Sequence, residues 1–233
     1  MKHLKIFIKG ETIDLCKPTS DFALNSNWYS WFNDEYIIRN LSKNYKKNNT
    51  PKKQLAFFKN EKKNRLILIL RTKEKIYKGV VSLSFINKKK KTCDIAVVTD
   101  VNIDPINSPY APLEAIARIT DYAFQKMKMK VIGGGAVFKL KNWQQRMELF
   151  GYKLSYVKNN NNFLEEKTFD THYVYCNYQD YLKIKKKRNG LFWDSLKMVK
   201  TRIRKLPKIS FRDRFVSFLI KNKEKYYKKI FNL

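Results

Sequence analysis

The stretch Pro112–Tyr152, PLEAIARITDYAFQKMKMKVIGGGAVFKLKNWQQRMELFGY, decides the fold that this sequence predicts. Apolar residues recur at steps of three and four from Ile116 to Met127, which is the spacing of a helix with one buried face. The apolar pair Val131-Ile132 then predicts a strand, and Leu140–Phe150 predicts a second helix. This alternation indicates an α/β fold. The N-terminal N–H groups of the first helix favour an anion in front of them.

Length and composition limit the classes of protein. With 233 residues, 43% of them hydrophobic and 15% aromatic, the chain is long enough for one ordinary domain with a real core and an appendage. The formal net charge of +30 invites a nucleic-acid or membrane interpretation. However, 40 of the 50 basic residues are lysine, and Asn, Ile and Tyr are also abundant, a mixture that an AT-rich genome tends to encode. We therefore give the total charge reduced weight as a functional signal.

Cysteine usage and hydropathy predict a cytoplasmic protein. The three cysteines, Cys16, Cys93 and Cys176, are isolated and odd in number, so they suggest neither a disulfide framework nor a metal site. The N-terminus lacks the apolar core and cleavage site of a signal peptide. No stretch approaches the ~20 apolar residues of a membrane span. We expect a cytosolic protein that at most lies at the inner face of the membrane.

Apolar runs on both sides of the opening stretch predict a mostly antiparallel sheet. Five of them predict strands: Arg65–Arg71, Tyr77–Ile86, Cys93–Thr99, Tyr152–Val157 and Thr171–Tyr178. Between the second and third, the lysine-rich loop Lys88–Lys91 is predicted to be a solvated turn and not a binding patch.

The N-terminal part of the chain predicts a hairpin and two helices. Ile6–Lys17 alternates as a short strand pair does. One helix is predicted to be capped near Thr19 and to continue through Tyr36-Ile37-Ile38. A second helix, Pro51–Asn60, is predicted to open at Thr50.

Five short segments resemble, in their order and spacing, the core of the GNAT (Gcn5-related) N-acetyltransferases. They are Trp31–Asp34, Tyr110–Ile116, Asp121–Phe124, Val131–Gly135 and Met147–Tyr152. The likeness implies a GNAT-like α/β (α+β) domain over residues 1–180, with a mixed, mostly antiparallel central sheet flanked by helices. A basic helical extension over residues 181–233 would follow it.

The resemblance also implies acetyl-CoA as the co-substrate, with no metal. Family members hold its diphosphate on the first helix of the opening stretch and its pantetheine arm between two splayed strands. Strand main chain would face the pantetheine arm, and helix amides with nearby polar side chains would hold the diphosphate. The positions implied to bind the cofactor are Val97, Val98, Thr99, Asn107, Ser108, Tyr110, Ala111, Leu113 and Asn142.

Two places depart from the family pattern. In the diphosphate turn, Tyr110 and Pro112 occupy the usual glycine places, and Pro109 and Pro112 donate no N–H. On the last helix, Met147 stands where many relatives have a tyrosine that protonates the leaving thiolate, and Asn142 lies two residues from the usual asparagine. These departures imply that the contacts with the acyl carrier differ from those in the family. They also imply that the general acid is located elsewhere or is water.

For the acceptor, the resemblance implies a pocket wall that contains Trp31, Asn33 and Asp34. The residues also allow a structural interpretation, in which Trp31 belongs to the core and Asn33-Asp34 ends a helix. The attacking amine must lose a proton, and a carboxylate such as Asp94, Asp100 or Asp34 can accept it directly or through water. The sequence does not choose among these carboxylates.

The glycine triplet Gly133–Gly135 lies inside a predicted strand and not before a helix, so it is weak evidence for a phosphate loop. Glycine within a strand marks a bulge or a close approach to the backbone. The resemblance implies that the acyl-pantetheine arm makes this approach. His172, in the last predicted strand, has no metal partner in sight and fits a hydrogen-bonded structural residue better than a base.

The C-terminal segment is distinctly basic. Residues 181–233 hold 18 basic and 3 acidic residues, a net charge of +15. From Phe192 to Leu206 apolar residues follow helical spacing, with Trp193 beside them, and a second helix is predicted after Ser210. Three roles remain open for residues 190–220. They are packing on the domain or on a partner protein, binding to an anionic membrane surface, and binding to nucleic acid. The low share of arginine disfavours nucleic acid, and so does the location of the aromatic residues on an apolar helix face.

These features together predict an acyl-CoA-dependent N-acyltransferase that acts on a small-molecule amine. Among members with a similar first helix, we favour those that acetylate a nucleotide-activated amino sugar for surface glycans over those that acetylate protein N-termini. A catalytically inactive GNAT-shaped binding protein and a basic RNA- or ribosome-associated protein are the alternatives.

Overall fold

We analysed the protein through a computed structural model, which describes residues 3–40, 48–100, 110–137, 141–158, 171–207 and 212–233. The chain forms two compact units. Unit 1 consists of Met1–Lys89 and Cys93–Ala123, and unit 2 consists of Lys90–Thr92 and Phe124–Leu233.

Unit 1 holds most of the first five strands, in the order β1-β2-β3-β4-β5, and the first five helices. The strands are β1 (Ile6–Ile8), β2 (Ile13–Cys16), β3 (Leu66–Thr72), β4 (Tyr77–Asn87) and β5 (Thr92–Thr99). The helices are α1 (Ser20–Asn25), α2 (Trp28–Trp31), α3 (Glu35–Asn40), α4 (Pro51–Glu61) and α5 (Tyr110–Gln125). The pairs β1–β2, β2–β3 and β3–β4 are antiparallel, as the apolar runs predict.

Local side-chain contacts explain where the helices of unit 1 begin. The Thr19 hydroxyl accepts the Phe22 N–H at 3.1 Å, and the Thr50 hydroxyl accepts the Lys53 N–H at 3.3 Å. Both contacts satisfy N–H groups that have no acceptor within the helix. The helix starts predicted from the sequence are confirmed.

The single helix predicted after Thr19 is wrong in one respect, because the structure divides it into α1, α2 and α3. Ser26 ends α1 with extended backbone, and its hydroxyl accepts the Trp28 N–H at 3.2 Å. Asp34 then caps α3 by accepting the Ile37 N–H at 3.1 Å. Short polar side chains that bond to nearby backbone compete with a continuous helix, and here they win.

The core of unit 1 lies between its sheet and the short helices. One buried cluster joins residues of β2, β3 and β4 to α1, α2, α3 and α4. Its members are Leu4, Cys16, Phe22, Ala23, Trp28, Trp31, Ile37, Phe58, Ile67, Ile69 and Val80. Burial of these side chains is the main stabilising term for the unit.

Unit 2 holds the remaining elements. They are β6 (Val131–Val137), α6 (Lys141–Glu148), β7 (Lys153–Lys158), β8 (Thr171–Asn177), α7 (Tyr178–Lys187), α8 (Leu196–Arg204), α9 (Arg212–Lys221) and α10 (Lys223–Phe231). Within the unit the strand order is β6-β8-β7, and both pairs are antiparallel. Gly151 has φ of +79°, so the predicted glycine after α6 adopts the left-handed conformation that ends helices.

The C-terminal helices pack within unit 2. The Trp193 ring stacks on Phe150 with centroids 5.8 Å apart, and the Arg188 guanidinium donates to Leu149 O at 2.5 Å. The Tyr227 hydroxyl of α10 accepts the Leu154 N–H of β7 at 2.5 Å, which occupies one backbone donor of that strand. Phe192, Trp193 and Val199 are all buried. For these side chains the structure favours the packing interpretation.

The α/β organisation, with a mostly antiparallel sheet, flanking helices and a helical C-terminal segment, is confirmed. The predicted domain boundary at residue 180 stays a prediction. Among the residues described here, no helix has both the length and the apolar character needed to cross a bilayer.

Candidate functional site

The end of β5 carries three positions implied to face the pantetheine arm. Val97, Val98 and Thr99 are the last residues of the strand, and each is partly exposed. On the β4 side the strand is closely packed, because a Cβ added to Gly79 would lie 2.6 Å from Val98 O. The Asp100 N–H, just past the strand, donates to Lys78 O at 2.9 Å. An acyl carrier therefore has no room on this side of the strand end.

The side chain of Val98 packs against the buried cluster that contains Trp28 and Trp31. The Val98 side chain is therefore occupied within the core, and contact of a carrier with the main chain of this strand stays a prediction.

The N-terminus of α5 is the second part of the implied cofactor site. Tyr110 and Ala111 lie in its first turn, and Leu113 is its fourth residue and is fully buried. The first N–H groups of a helix have no acceptor within the helix, and the helix dipole adds partial positive charge. Pro112 contributes no N–H. This helix end thus suits an anion but offers one donor fewer than a turn without proline.

A buried carboxylate anchors α5 close to that end. Glu114 is 0% exposed and accepts the Glu11 N–H at 2.6 Å and the Thr12 N–H at 2.7 Å. It also accepts the Thr12 hydroxyl at 2.6 Å and forms an ion pair with Arg118 at 3.0 Å. These contacts attach the first half of α5 to the turn between β1 and β2.

The turn leaves no room for a larger residue at Gly10. A Cβ built there would lie 2.1 Å from Ile13 O and 2.8 Å from Glu114 Oε1. The predictions made from the sequence do not include the side chain of Glu114. A carboxylate on the apolar face of a predicted helix, between Leu113 and Ile116, is the signal that points to a buried partner.

The residues implied to line the acceptor pocket have identifiable structural contacts. Trp31 is 3% exposed and belongs to the core cluster. The Asn33 side chain accepts the Asn49 N–H and donates to Asn49 O, both at 2.8 Å. Asp34 caps α3. Trp31 thus belongs to the core, as the structural interpretation predicts, whereas Asp34 begins a helix and does not end one. Contact of these residues with substrate stays a prediction.

Two of the three carboxylates considered as general bases, Asp94 and Asp100, lie at opposite ends of β5. Asp94 is an exposed residue near its start, and partial desolvation raises the pKa of its carboxyl group above the ordinary value. Asp100 follows the last residue of the strand and is partly exposed. A raised pKa brings Asp94 closer to the value that suits a base near neutral pH.

In unit 2, the glycine triplet pairs regularly with β8. Gly133, Gly134 and Gly135 lie opposite Tyr175, Val174 and Tyr173, with no irregularity in the register. A Cβ on Gly135 would lie 3.2 Å from Cε1 of the Tyr173 ring. Of the two roles predicted for these glycines, the structure therefore shows a close approach and not a bulge, and at Gly135 a cross-strand ring makes the approach.

Helix α6 carries the positions at which relatives place polar groups. Asn142 is exposed near the start of the helix, and Met147 is buried at 6% exposure. The neighbouring Glu148 is 0% exposed and accepts the Tyr226 hydroxyl at 2.5 Å and the Tyr227 hydroxyl at 3.4 Å. Burial raises the pKa of Glu148 to about 8. No local sequence pattern predicts this buried carboxylate, because its partners lie far away along the chain.

His172 on β8 is 2% exposed, and burial lowers its pKa to about 4. The imidazole is therefore neutral near pH 7. No group of three or more His, Cys, Asp or Glu side chains with metal-binding geometry occurs in the described part of the chain.

The remaining predicted site residues, Asn107 and Ser108, lie outside the described residues. Their predicted contact with a diphosphate stays a prediction. So do the cofactor roles of the main chain at Val97–Thr99 and of the first turn of α5, and the role of Asn142.

Comparison with known proteins gives matches among solved structures alone. No family model matches the chain, and no curated protein sequence matches it. The structure of the microcin C7 self-immunity acetyltransferase MccE in complex with acetyl-CoA and AMP is similar over 72% of this chain and 93% of its own, with 21% identity and a TM-score of 0.57. A chimera of the Vibrio cholerae spermidine N-acetyltransferase SpeG is similar over 74% of this chain and 99% of its own, with 12% identity and a TM-score of 0.62.

These structures are GNAT acetyltransferases, and the similarity spans nearly their whole length. The chain therefore has the GNAT acetyltransferase fold. The fold implied by the five short segments is confirmed.

Proposed function

We propose that the chain is an acyl-CoA-dependent N-acyltransferase, with acetyl-CoA as donor and the amino group of a small molecule as acceptor. The observation that carries the proposal is a fold shared with acetyltransferases over 93% and 99% of their lengths. One of those structures holds acetyl-CoA. Helix α5 supplies the anion-binding helix end that a CoA diphosphate needs.

In this proposal the first turn of α5 holds the diphosphate through the amides of Tyr110, Ala111 and Leu113. Pro112 removes one donor, so the side chains of Asn107 and Ser108 add polar contacts. The main chain of Val97–Thr99 pairs with the amides of the pantetheine arm, and Asn142 contributes from α6. Transfer then depends mostly on positioning the amine against the thioester carbonyl, which needs few special side chains.

Isothermal titration with acetyl-CoA tests the donor site. The variant Ala111→Glu places a carboxylate in the first turn of α5. There the carboxylate interacts favourably with the helix dipole but repels a diphosphate. We expect acetyl-CoA affinity to fall at least tenfold while the thermal midpoint stays unchanged. Ala56→Glu is the matched control, because Ala56 is an exposed residue of another helix, α4. Equal affinity in Ala111→Glu and wild type would contradict the site.

For the acceptor, we propose an amine on an anionic molecule, such as a nucleotide-activated amino sugar. The formal net charge of +30 attracts an anion and repels a polycation. Of the similar structures, one holds AMP, whereas the other belongs to a spermidine acetyltransferase. The charge of this chain favours an acceptor of the first kind over spermidine.

Acetyl transfer to a set of nucleoside-diphosphate amino sugars, with spermidine as comparison, tests this choice. We expect measurable transfer to at least one nucleotide sugar, and kcat/KM for it should fall as the salt concentration rises. Efficient transfer to spermidine with no dependence on salt would contradict an anionic acceptor, while acetyl-CoA binding would still support the donor site.

Asp94 and Asp100 are the proposed bases. Removing a general base typically costs 10²–10⁴-fold in rate, so the Asn variant of the true base should lose about this much in kcat with little change in acetyl-CoA affinity. The pH profile of that variant should lack the acidic limb of the wild-type profile. If neither variant changes the profile, deprotonation of the amine by bulk water is the better description.

Two other functions make different predictions. A GNAT-shaped binding protein, which the buried Met147 and the proline-containing turn favour, would bind acetyl-CoA or an acceptor without transfer. An RNA-associated protein, which the net charge of +30 favours, would bind RNA with a steep dependence on salt. Turnover in the transfer assay distinguishes the enzyme from both.

A further inference from the structure

Phe85, in β4, combines two unfavourable features in one residue. Its φ of +49° lies in the left-handed region, which bulky residues rarely adopt because Cβ crowds the backbone. Its side chain is also 78% exposed, so the ring gains almost nothing from burial. Backbone outliers of this kind persist where the surrounding structure holds them, and they concentrate at functional positions.

The position of Phe85 explains how the ring comes to be exposed. The pairing of β4 with β3 ends at Leu83, which lies opposite Leu66. Phe85 therefore lies in the part of β4 that continues past β3 toward the turn. The lysines Lys88 and Lys89 in that turn are exposed, and the sequence continues with Lys90 and Lys91.

We propose that the end of this strand, formed by Phe85, Lys88 and Lys89, binds the surface of a membrane that contains anionic lipids. Lysine side chains close to such a surface are attracted by the negative lipid headgroups, and this attraction fades within a Debye length. An apolar ring next to them can be buried at the boundary between headgroups and acyl chains, as Phe and Trp side chains of interfacial helices are. The net charge of +30 is complementary to that surface. The sequence alone predicts a solvated lysine turn, and the exposed ring changes that interpretation.

Other occupants fit these observations less well. Single-stranded nucleic acid is bound by several rings on which successive bases stack, whereas Phe85 is the sole exposed aromatic residue described between Tyr77 and Thr99. The cations beside it are lysines and not the forked arginines preferred for phosphate recognition. A second copy of the chain carries the same charge of +30 and would be repelled.

Sedimentation with vesicles of phosphatidylcholine, with and without phosphatidylglycerol, tests the proposal on the full chain. Wild type should bind vesicles that contain phosphatidylglycerol, and binding should weaken as salt rises. The variant Phe85→Asn replaces the ring by a polar residue that tolerates the left-handed conformation. Its vesicle affinity should fall about tenfold while its thermal midpoint stays equal or rises, because the backbone strain is relieved.

The thermal midpoint separates this role from a structural one, since a phenylalanine that supports the core would lower it on replacement. Ile76→Asn is the matched control, because Ile76 is 50% exposed in the same unit and lies between lysines in the turn before β4. It should leave vesicle binding within twofold of wild type. The double variant Lys88→Glu/Lys89→Glu should abolish the preference for anionic vesicles.

Three results would overturn the proposal. Unchanged vesicle affinity in Phe85→Asn removes the ring as an anchor. An equal loss of affinity in Ile76→Asn makes the effect nonspecific. Binding of an RNA homopolymer that Phe85→Asn weakens, with vesicle binding unaffected, assigns the surface to nucleic acid instead. None of these measurements depends on acetyl-CoA, so they stand apart from the test of the proposed enzyme.

Discussion

Glu114 in unit 1 and Glu148 in unit 2 are both 0% exposed, yet their partners differ in kind. Glu114 has a cation, Arg118, at 3.0 Å and two backbone N–H groups within 2.7 Å. The hydrogen bonds described for Glu148 come from neutral groups, which are the hydroxyls of Tyr226 and Tyr227 and the side chain of Gln144. A buried carboxylate stays charged at low cost only where a cation and amides compensate it. The first glutamate therefore works as an ionic anchor and the second as a proton-dependent one.

The largest expected effect follows from removing the ionic anchor. Glu114→Ala leaves Arg118 without its counter-charge and the N–H groups of Glu11 and Thr12 without an acceptor. Breaking one side of a buried pair typically costs 3–5 kcal/mol, so we expect the free energy of unfolding to fall by about 4 kcal/mol. Urea titration followed by tryptophan fluorescence measures it. Glu114→Gln, which keeps an acceptor oxygen, should lose roughly half as much, about 2 kcal/mol.

If Glu114→Ala instead costs less than about 1 kcal/mol, the anchor is of the weak, solvent-screened type that surface ion pairs show. The contrast between the two carboxylates would then disappear.

The second prediction concerns pH. Glu148 has a pKa of about 8 in the folded protein against an ordinary value of 4.5, so the folded state binds more protons between these values. Stability from this group is fully present below pH 4.5 and is lost as pH rises through 8. The slope is about 1.4 kcal/mol per pH unit while only the unfolded state is ionised. The contribution of Glu148 to the unfolding free energy should therefore fall by about 2 kcal/mol from pH 6 to pH 8.

Glu148→Gln is the control for this pH dependence, because it cannot ionise and fits the same volume. Its unfolding free energy should lack the decline between pH 6 and pH 8. A decline that persists unchanged in Glu148→Gln would show that another group causes it.

His172 affects stability at the acidic end of the pH range. Its pKa of about 4 makes the folded state lose stability as pH falls below 6.5.

Features that neighbouring residues determine could be predicted from the sequence, whereas features that depend on distant partners could not. Local signals sufficed for the strand pairs, for the caps at Thr19 and Thr50 and for the glycine after α6. They failed where polar side chains at Ser26 and Asp34 interrupt a helix whose apolar spacing continues. Periodicity records which face is buried and carries no information on such breaks.

The two carboxylates lie beyond local reasoning for another reason. Thr12 lies 102 residues from Glu114, and Tyr226 lies 78 residues from Glu148. No spacing rule connects residues so far apart, and only the completed fold brings them together. The family resemblance assigns the predicted cofactor contacts to the end of β5 and the start of α5. It assigns no role to the side chains of Glu114 and Glu148.

The third prediction sharpens the ionic side of the comparison. Thr12→Val removes the hydroxyl that donates to Glu114 at 2.6 Å and keeps the shape of the side chain. A hydrogen bond to a charged group is worth about 1.5–3 kcal/mol, and the two backbone donors remain, so we expect a loss of about 1.5 kcal/mol in unfolding free energy. Urea titration of wild type and variant measures this loss. A loss no larger than the roughly 1 kcal/mol of an ordinary hydrogen bond would contradict the ionic anchor.

The smallest expected effect is a difference of about 1 kcal/mol between two pH values, and it comes from the neutral hydrogen bonds of Glu148. Tyr226→Phe removes the hydroxyl that donates to Glu148 at 2.5 Å. At pH 6 the carboxyl group is protonated, so the cost should be that of an ordinary hydrogen bond, about 1 kcal/mol. At pH 9 the group is ionised and the same donor is charge-assisted, which makes the cost roughly twice as large, about 2 kcal/mol. Urea titrations of wild type and variant at the two pH values measure this difference. Equal costs at both pH values would mean that Glu148 is already charged at pH 6 and that the two glutamates are anchors of the same kind.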